Sequence, residues 1–326
     1  MMSVNGNFIP AAAAWHHVMS LLTAALLMAG CWCRFRLPHG ELALVAFCFL
    51  SASVLYNLPR ARDRFRLLVM MAGFTVLLQF WIGICRGERI LLILLPSLTA
   101  AMIFSVLPHT AAWPVCIAGF LGFSSPPGFL PTMDSALAIA VFGIPSVWIA
   151  TILFHTPRPE PPDFYEKLDG GTAFGLAFLL GFGIWIAEAL RMPQGMWIML
   201  TILFIGQFAG SGDWAAASFE RISATPLGLI LGGVYMGCFT GFDYRFAYLL
   251  IPLGVLAFYQ LYRTGSFFLF TVWFMTAFSI YADWSTGDCR RFHFAELLFW
   301  RSAATLIGAG LLFVFRGFFR KGRAAA

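Results

Sequence analysis

The chain is predicted to be an all-α polytopic membrane protein. Of its 326 residues 60% are hydrophobic and only 11% are charged, and the apolar residues come in continuous runs of near span length. So few charges could not cover a water-soluble domain of this size. The same composition excludes a disordered, collagenous, coiled-coil or disulfide-scaffold protein. Continuous rather than alternating apolarity favours helices over a β-barrel, since lipid requires every backbone polar group to be paired internally.

Taken in order, the first run covers 13–33. Its Met28-Ala29-Gly30-Cys31 looks like a lipoprotein cleavage site, but residues 1–17 hold no Lys or Arg, so it reads as the first membrane helix. Next come 41–57, then 67–85, preceded by Arg60, Arg62, Arg64 and Arg66, then 90–107. The run 111–125 is the weakest. It ends in Ser124-Ser125-Pro126-Pro127-Gly128 and reads as a short span or a re-entrant segment. The run 135–155 closes the first six. The second six are 170–190, 195–211, 222–241, 245–262, 266–282 and 295–316, so ten to twelve spans are expected. Arg316, Arg320, Lys321 and Arg323 form a second basic cluster. Positive charge resists translocation, so the two clusters place both termini in the cytoplasm. The net charge of +6 is loop punctuation, and no nucleic-acid-reading module accompanies it.

The halves resemble each other at an offset of 155 residues. Pro38-His39-Gly40 matches Pro193-Gln194-Gly195, Phe49 matches Phe204, Arg66 matches Arg221, and Gly73 matches Gly228. Six helices per half give both halves one orientation, a parallel repeat of the kind that builds transporters. The expected organisation is a first repeat at 1–156, a Pro-rich cytoplasmic linker at 157–169, and a second repeat with a basic tail at 170–326.

A motif recurs in the second half: Arg221-x-x-x-Thr225-x-x-Gly228 and Arg301-x-x-x-Thr305-x-x-Gly308. Positions i, i+4 and i+7 share a helical face. That face offers a cation, a hydroxyl able to bond across a helix contact, and a glycine that admits a second backbone. The first half has Arg66, Met70 and Gly73 in these places and lacks a counterpart of Arg301. Together with Met192-Pro-Gln-Gly-Met-Trp197-Ile-Met-Leu-Thr201, these motifs resemble the fusaric acid resistance and aromatic acid exporter family, best over about 170–315. The resemblance implies an inner-membrane exporter of small organic, often aromatic, acids. It also implies proton coupling and a periplasmic membrane-fusion adaptor as partner. The short linker and tail mark a compact form, without the family's large cytoplasmic domain.

Ionisable groups inside spans are costly and are functional candidates by default. Arg301 is the foremost: it binds a substrate carboxylate with its donor fork, or it snorkels to the interface or pairs with Glu296. Arg221 and Arg66 are candidate substrate contacts or topology anchors. Glu188 is a candidate proton-linked carboxylate or the i,i+3 partner of Arg191. Thr225 and Thr305 join the candidate pathway. Gly73, Gly228 and Gly308 are expected to admit close helix packing. Gln79 and Gln207 read as helix–helix hydrogen bonds. The seven scattered Cys lack a CxxC pair, and the six His form no cluster, so neither a metal nor a cofactor is expected. A P-loop and a nucleophile elbow are both missing, which argues against an enzyme. The expected partners are the acid substrate, membrane lipid, the adaptor and a second copy of the chain. The other reading is a non-transporting scaffold subunit of an envelope complex.

Overall fold

A computed structural model describes residues 41–55, 58, 60–124, 129–154, 166–193, 195–207, 214–239, 266–285 and 294–315. The expected spans 13–33 and 245–262 and the tail cluster from Arg316 lie outside the described residues.

Every regular element among the described residues is helical. In order they are α1 (Glu41–Leu55), α2 (Ala61–Cys85), α3 (Arg89–Val106) and α4 (His109–Phe120), the last tightened into a 3-10 turn at Leu121–Ser124. Then α5 (Phe129–Ala138) runs through a π turn at Ile139–Gly143 into α6 (Ile144–Phe154). The second half holds α7 (Gly170–Ala189), α8 (Met196–Gly206), α9 (Trp214–Phe239), α10 (Phe267–Ser285) and α11 (Phe294–Val314).

Five stretches are long and apolar enough to cross a membrane: α2, α3, Ala136–Leu153 across α5 and α6, α7, and Ala295–Val314 in α11. Their outer faces carry large exposed apolar side chains, among them Leu94 and Leu98 on α3, Phe174 and Phe178 on α7, and Phe299 and Leu306 on α11. In water such faces would be an aggregation liability; in lipid they are at home. The chain is a multi-pass membrane protein.

Two helices break the pattern. At 1.5 Å per residue, α8 with its 11 residues spans about 16 Å and α4 with its 12 about 18 Å, against about 30 Å of hydrocarbon. Both are buried nearly all round: Trp197 to Gly206 on α8 and Ala111 to Phe120 on α4. A helix apolar on every side belongs in the interior of a bundle. These two are interior posts.

The longer helices surround the posts. Helices α1, α2 and α3 pack on α4, with α5 and α6 laid on α1 and α2, while α7, α9 and α11 pack around α8, with α9 laid extensively on α10. The two groups meet where α3 packs on α7 and α4 on α8. The second contact is close: a Cβ at Gly206 would come within 2.9 Å of both Leu176 and the Trp113 ring. The backbone N–H of His109 donates to the Glu166 carbonyl at 2.7 Å, tying the start of α4 to the chain entering α7.

Local chemistry fixes the ends of α7. The Asp169 carboxylate accepts the Thr172 N–H at 2.9 Å, an N-cap. Hydrogen bonding to Thr172 holds its pKa below the usual carboxylate value. At the other end Arg191 adopts φ 48°, the left-handed conformation that stops a helix, and Met192 N–H returns to the Ala187 carbonyl at 2.9 Å. This corrects the expected Glu188–Arg191 pair. An i,i+3 pair needs both residues on the helix, and Arg191 has left it.

The facing of α2 also differs from expectation. Its buried side is Arg64, Leu67, Leu68, Met71, Ala72, Thr75, Leu78, Gln79 and Ile82. Arg66 and Gly73 lie on the exposed side. A Cβ at Gly73 would meet nothing within 4 Å among the described residues, so Gly73 is not a packing glycine there. The apolar residues at 67, 68, 71, 72 and 78 set the buried stripe, and Arg66 and Gly73 fall off it. Burial selects Arg64 instead, whose Nη1 donates to the Leu58 carbonyl at 2.9 Å.

Candidate functional site

The site is built on one face of α8. Trp197, Thr201 and Phe204 stand at i, i+4 and i+7 and so line one stripe. The motif arginines of the two flanking helices come down on its ends. The Arg301 guanidinium carbon lies 4.6 Å from the centre of the Trp197 ring, and that of Arg221 lies 4.7 Å from the centre of Phe204. Arg221 also lies 5.9 Å from the centre of the Phe274 ring on α10. Phe270 joins this aromatic floor, 6.0 Å from Phe204 and 5.6 Å from Phe274.

Both arginines are buried within the bundle, Arg221 with no exposed surface and Arg301 with 1%. Each is the eighth residue of its helix, about 10 Å along the axis from the helix start. Neither snorkels. Glu296 is exposed while Arg301 is buried, so the pairing weighed for them is not the arrangement found. Arg221 is the extreme case: Nε, Nη1 and Nη2 all lack a hydrogen-bond partner among the described residues. A cation stacked on aromatic faces gains about 2 kcal/mol or more once desolvated. Leaving its donor fork unmade in a dry interior costs more than that.

The glycines explain how the arginines get so deep. A Cβ at Gly308 would fall 2.8 Å from the Ile198 carbonyl oxygen and 2.9 Å from the Thr201 Cβ, and one at Gly228 would fall 2.5 Å from the Val272 oxygen. Only glycine lets α11 press onto α8, and α9 onto α10, at these points. Gly228 and Gly308 both stand at close helix contacts.

The threonines act otherwise. Thr225 Oγ1 donates to the Arg221 carbonyl at 2.7 Å and Thr305 Oγ1 to the Arg301 carbonyl at 2.9 Å, each within its own helix. Neither makes the expected bond across a helix contact among the described residues, because an i−4 carbonyl lies within reach of any helical threonine. The hydroxyl that does cross is that of Thr276, donating to the Gly228 carbonyl at 3.1 Å. Gln79 also crosses, to Ala118 at 3.1 Å, whereas Gln207 folds back onto Phe204 at 2.9 Å.

Glu188 and Arg66 stand apart from this cluster. Glu188 is half-buried at the end of α7 and acts on Arg86, whose pKa burial lowers and the Glu188 charge raises. Arg86 in turn donates to the Gly122 carbonyl at 3.0 Å. The sequence reading had Thr201 only as a motif residue and Arg64 only as part of a basic cluster, and it left out Phe274. Of these, Thr201 carried a signal: with Trp197 and Phe204 it repeats the four-then-three spacing of the arginine motif. Its hydroxyl is buried and lacks a partner among the described residues, as does that of Thr271 on α10. Among the described residues no group of His, Cys, Asp and Glu is placed to hold a metal.

The arrangement suits a planar anion. A carboxylate fits the guanidinium edge two bonds at a time, and an aromatic body fits the phenylalanine floor. No family model matches the chain, and no curated protein or solved structure matches it.

Proposed function

We propose that the protein is a secondary efflux transporter of small organic, chiefly aromatic, carboxylic acids. The observation that carries this reading is Arg221: a wholly buried guanidinium on a phenylalanine floor, with three nitrogens that no described residue satisfies. A membrane protein keeps such a group when a ligand supplies what the fold does not. The motifs shared with the fusaric acid resistance and aromatic acid exporter family support the same substrate class. By that resemblance the chain sits in a bacterial inner membrane, and its two basic clusters favour cytoplasmic termini. It works with a periplasmic adaptor and a proton gradient, Glu188 being the first candidate to titrate, and self-associates.

Two parallel six-helix repeats fit this reading. Helix α8 starts at Met196, 155 residues after α1 at Glu41, and α9 ends at Phe239, 154 after α2 at Cys85. The outward turn of Arg66 leaves the substrate contact to the second half.

The test is accumulation of radiolabelled benzoate in an efflux-deficient host, with and without a protonophore. The chain should lower accumulation, the protonophore should restore it, and Arg221→Gln should behave as empty vector at equal membrane abundance. No difference between wild type and vector across a panel of aromatic acids would overturn the reading and leave the scaffold alternative.

A further inference from the structure

We infer that Thr271 on α10 is a second substrate-binding residue, whose hydroxyl clamps the carboxylate of the transported acid together with the Arg221 guanidinium. The inference rests on the transport reading above and adds the group that completes the coordination of the carboxylate.

A helical threonine ordinarily returns its hydroxyl to the carbonyl four residues back. Thr75, Thr99, Thr225, Thr276 and Thr305 all do so, at 2.7–2.9 Å. Thr271 does not. Its hydroxyl is fully buried and has no hydrogen-bond partner among the described residues, although the Phe267 carbonyl stands four residues back. An unpaired buried hydroxyl is a cost that a bound acceptor removes.

The contacts of α10 fix where this hydroxyl points. Phe270 and Phe274 meet Phe204 on α8, at 6.0 and 5.2 Å between ring centres. Met275 meets α9, its Cβ lying 2.7 Å from where a Cβ at Gly228 would stand. At about 100° per residue, Thr271 stands about 60° past Phe274 and about 40° short of Met275. It therefore points into the wedge between α8 and α9. Arg221 lies in that wedge: it shares the Gly228 face of α9, and its guanidinium reaches both Phe204 and Phe274. Helical side chains lean toward the start of their helix, so the Phe274 ring covers the turn that carries Thr271. The two polar groups face one space, and neither bonds the other. A carboxylate there accepts two bonds from the guanidinium fork and a third from Thr271, on a lone pair that the fork leaves open. The Thr201 hydroxyl, also unpaired among the described residues, belongs to another contact: its Cβ lies 2.9 Å from where a Cβ at Gly308 would stand, so α11 closes over it.

The experiment is equilibrium binding of radiolabelled benzoate to the purified whole chain in lipid nanodiscs, paired with thermal unfolding in the absence of benzoate and with efflux in cells. Thr271→Val keeps the shape and removes the hydroxyl. It should weaken benzoate binding by about tenfold or more, the worth of a hydrogen bond to a charged group. Without benzoate it should unfold at or above the wild-type temperature, because the hydroxyl it removes is unpaired. Thr271→Ser restores the donor and should bind benzoate within about threefold of wild type.

Wild-type affinity in Thr271→Val would overturn the clamp, and so would a Thr271→Ser that binds as weakly as Thr271→Val. A Thr271→Val that unfolds below wild type without benzoate would mark a structural hydroxyl and overturn it too. In each of these cases, efflux by wild type beside none by Arg221→Gln leaves the transport reading standing. Absence of both binding and efflux in wild type would instead overturn the transport reading, and the inference with it.

Discussion

A buried arginine with no hydrogen bond to any described residue separates function from stability. No described residue accepts a hydrogen bond from Arg221, and its ring contacts repay only part of the desolvation, so Arg221→Met, which keeps length and packing, should raise stability by about 1–4 kcal/mol while abolishing efflux. Thermal unfolding of the purified variant checks the first half of that prediction; a loss of stability would mean that Arg221 has a structural partner. The residue scale is also where the sequence was most and least readable. A charge inside an apolar run announces itself, which made Arg301 visible, and Arg221 was visible through the motif that the second half repeats. Their ring partners were not, because which aromatic faces a guanidinium is decided by how two helices cross. Arg64 was hidden behind Arg66 for a related reason. A residue-for-residue match between halves says nothing about rotation of a helix about its axis, and two positions of shift carry a side chain to the other face.

Glycine content alone does not identify contacts between helices, and the three motif glycines show this. Gly308→Ala should cost about 1–3 kcal/mol, since its Cβ would press on the backbone of α8, and Gly228→Ala should behave likewise against α10. Gly73→Ala should stabilise α2 by up to about 1 kcal/mol, because no described residue stands within 4 Å of its site and alanine is the better helix former. Unfolding of the three variants side by side tests the assignment; equal effects would refute it. At the start of α7 the sign of a pH effect follows from Asp169. Its pKa is lowered in the folded state, so its contribution is present above the unfolded value near 3.9 and fades as pH falls below that. Asp169→Ala should cost about 1 kcal/mol at neutral pH, and thermal scans should show the gap to wild type closing below about pH 4. Helix positions were the most legible part of the chain, because a long apolar run has few other fates in lipid. The two short helices, α4 and α8, were the exception. Their sequences look like weak spans, and only their neighbours reveal them as interior posts.

At the scale of the whole molecule, the halves are joined closely enough to be locked. The Cβ of Ser97 on α3 lies 3.4 Å from where a Cβ at Gly181 on α7 would stand, close to disulfide geometry. Ser97→Cys with Gly181→Cys, in a background cleared of native cysteines, should cross-link under mild oxidant. After cleavage within 155–165 the halves should stay together on a denaturing gel until reduced; halves that separate would disprove the contact. If transport needs the halves to move, oxidation should also arrest benzoate efflux. The shortness of α8 has a further consequence. About 16 Å of helix inside about 30 Å of hydrocarbon leaves the ends of the post well below the lipid surface. An anion moving along it to the outside travels with an interior-negative voltage, gaining up to about 2.3 kcal/mol per 100 mV over the full drop. For this cargo the cell's electrical potential is itself an export force. Collapsing the voltage with potassium and valinomycin, with the pH gradient held, should slow efflux.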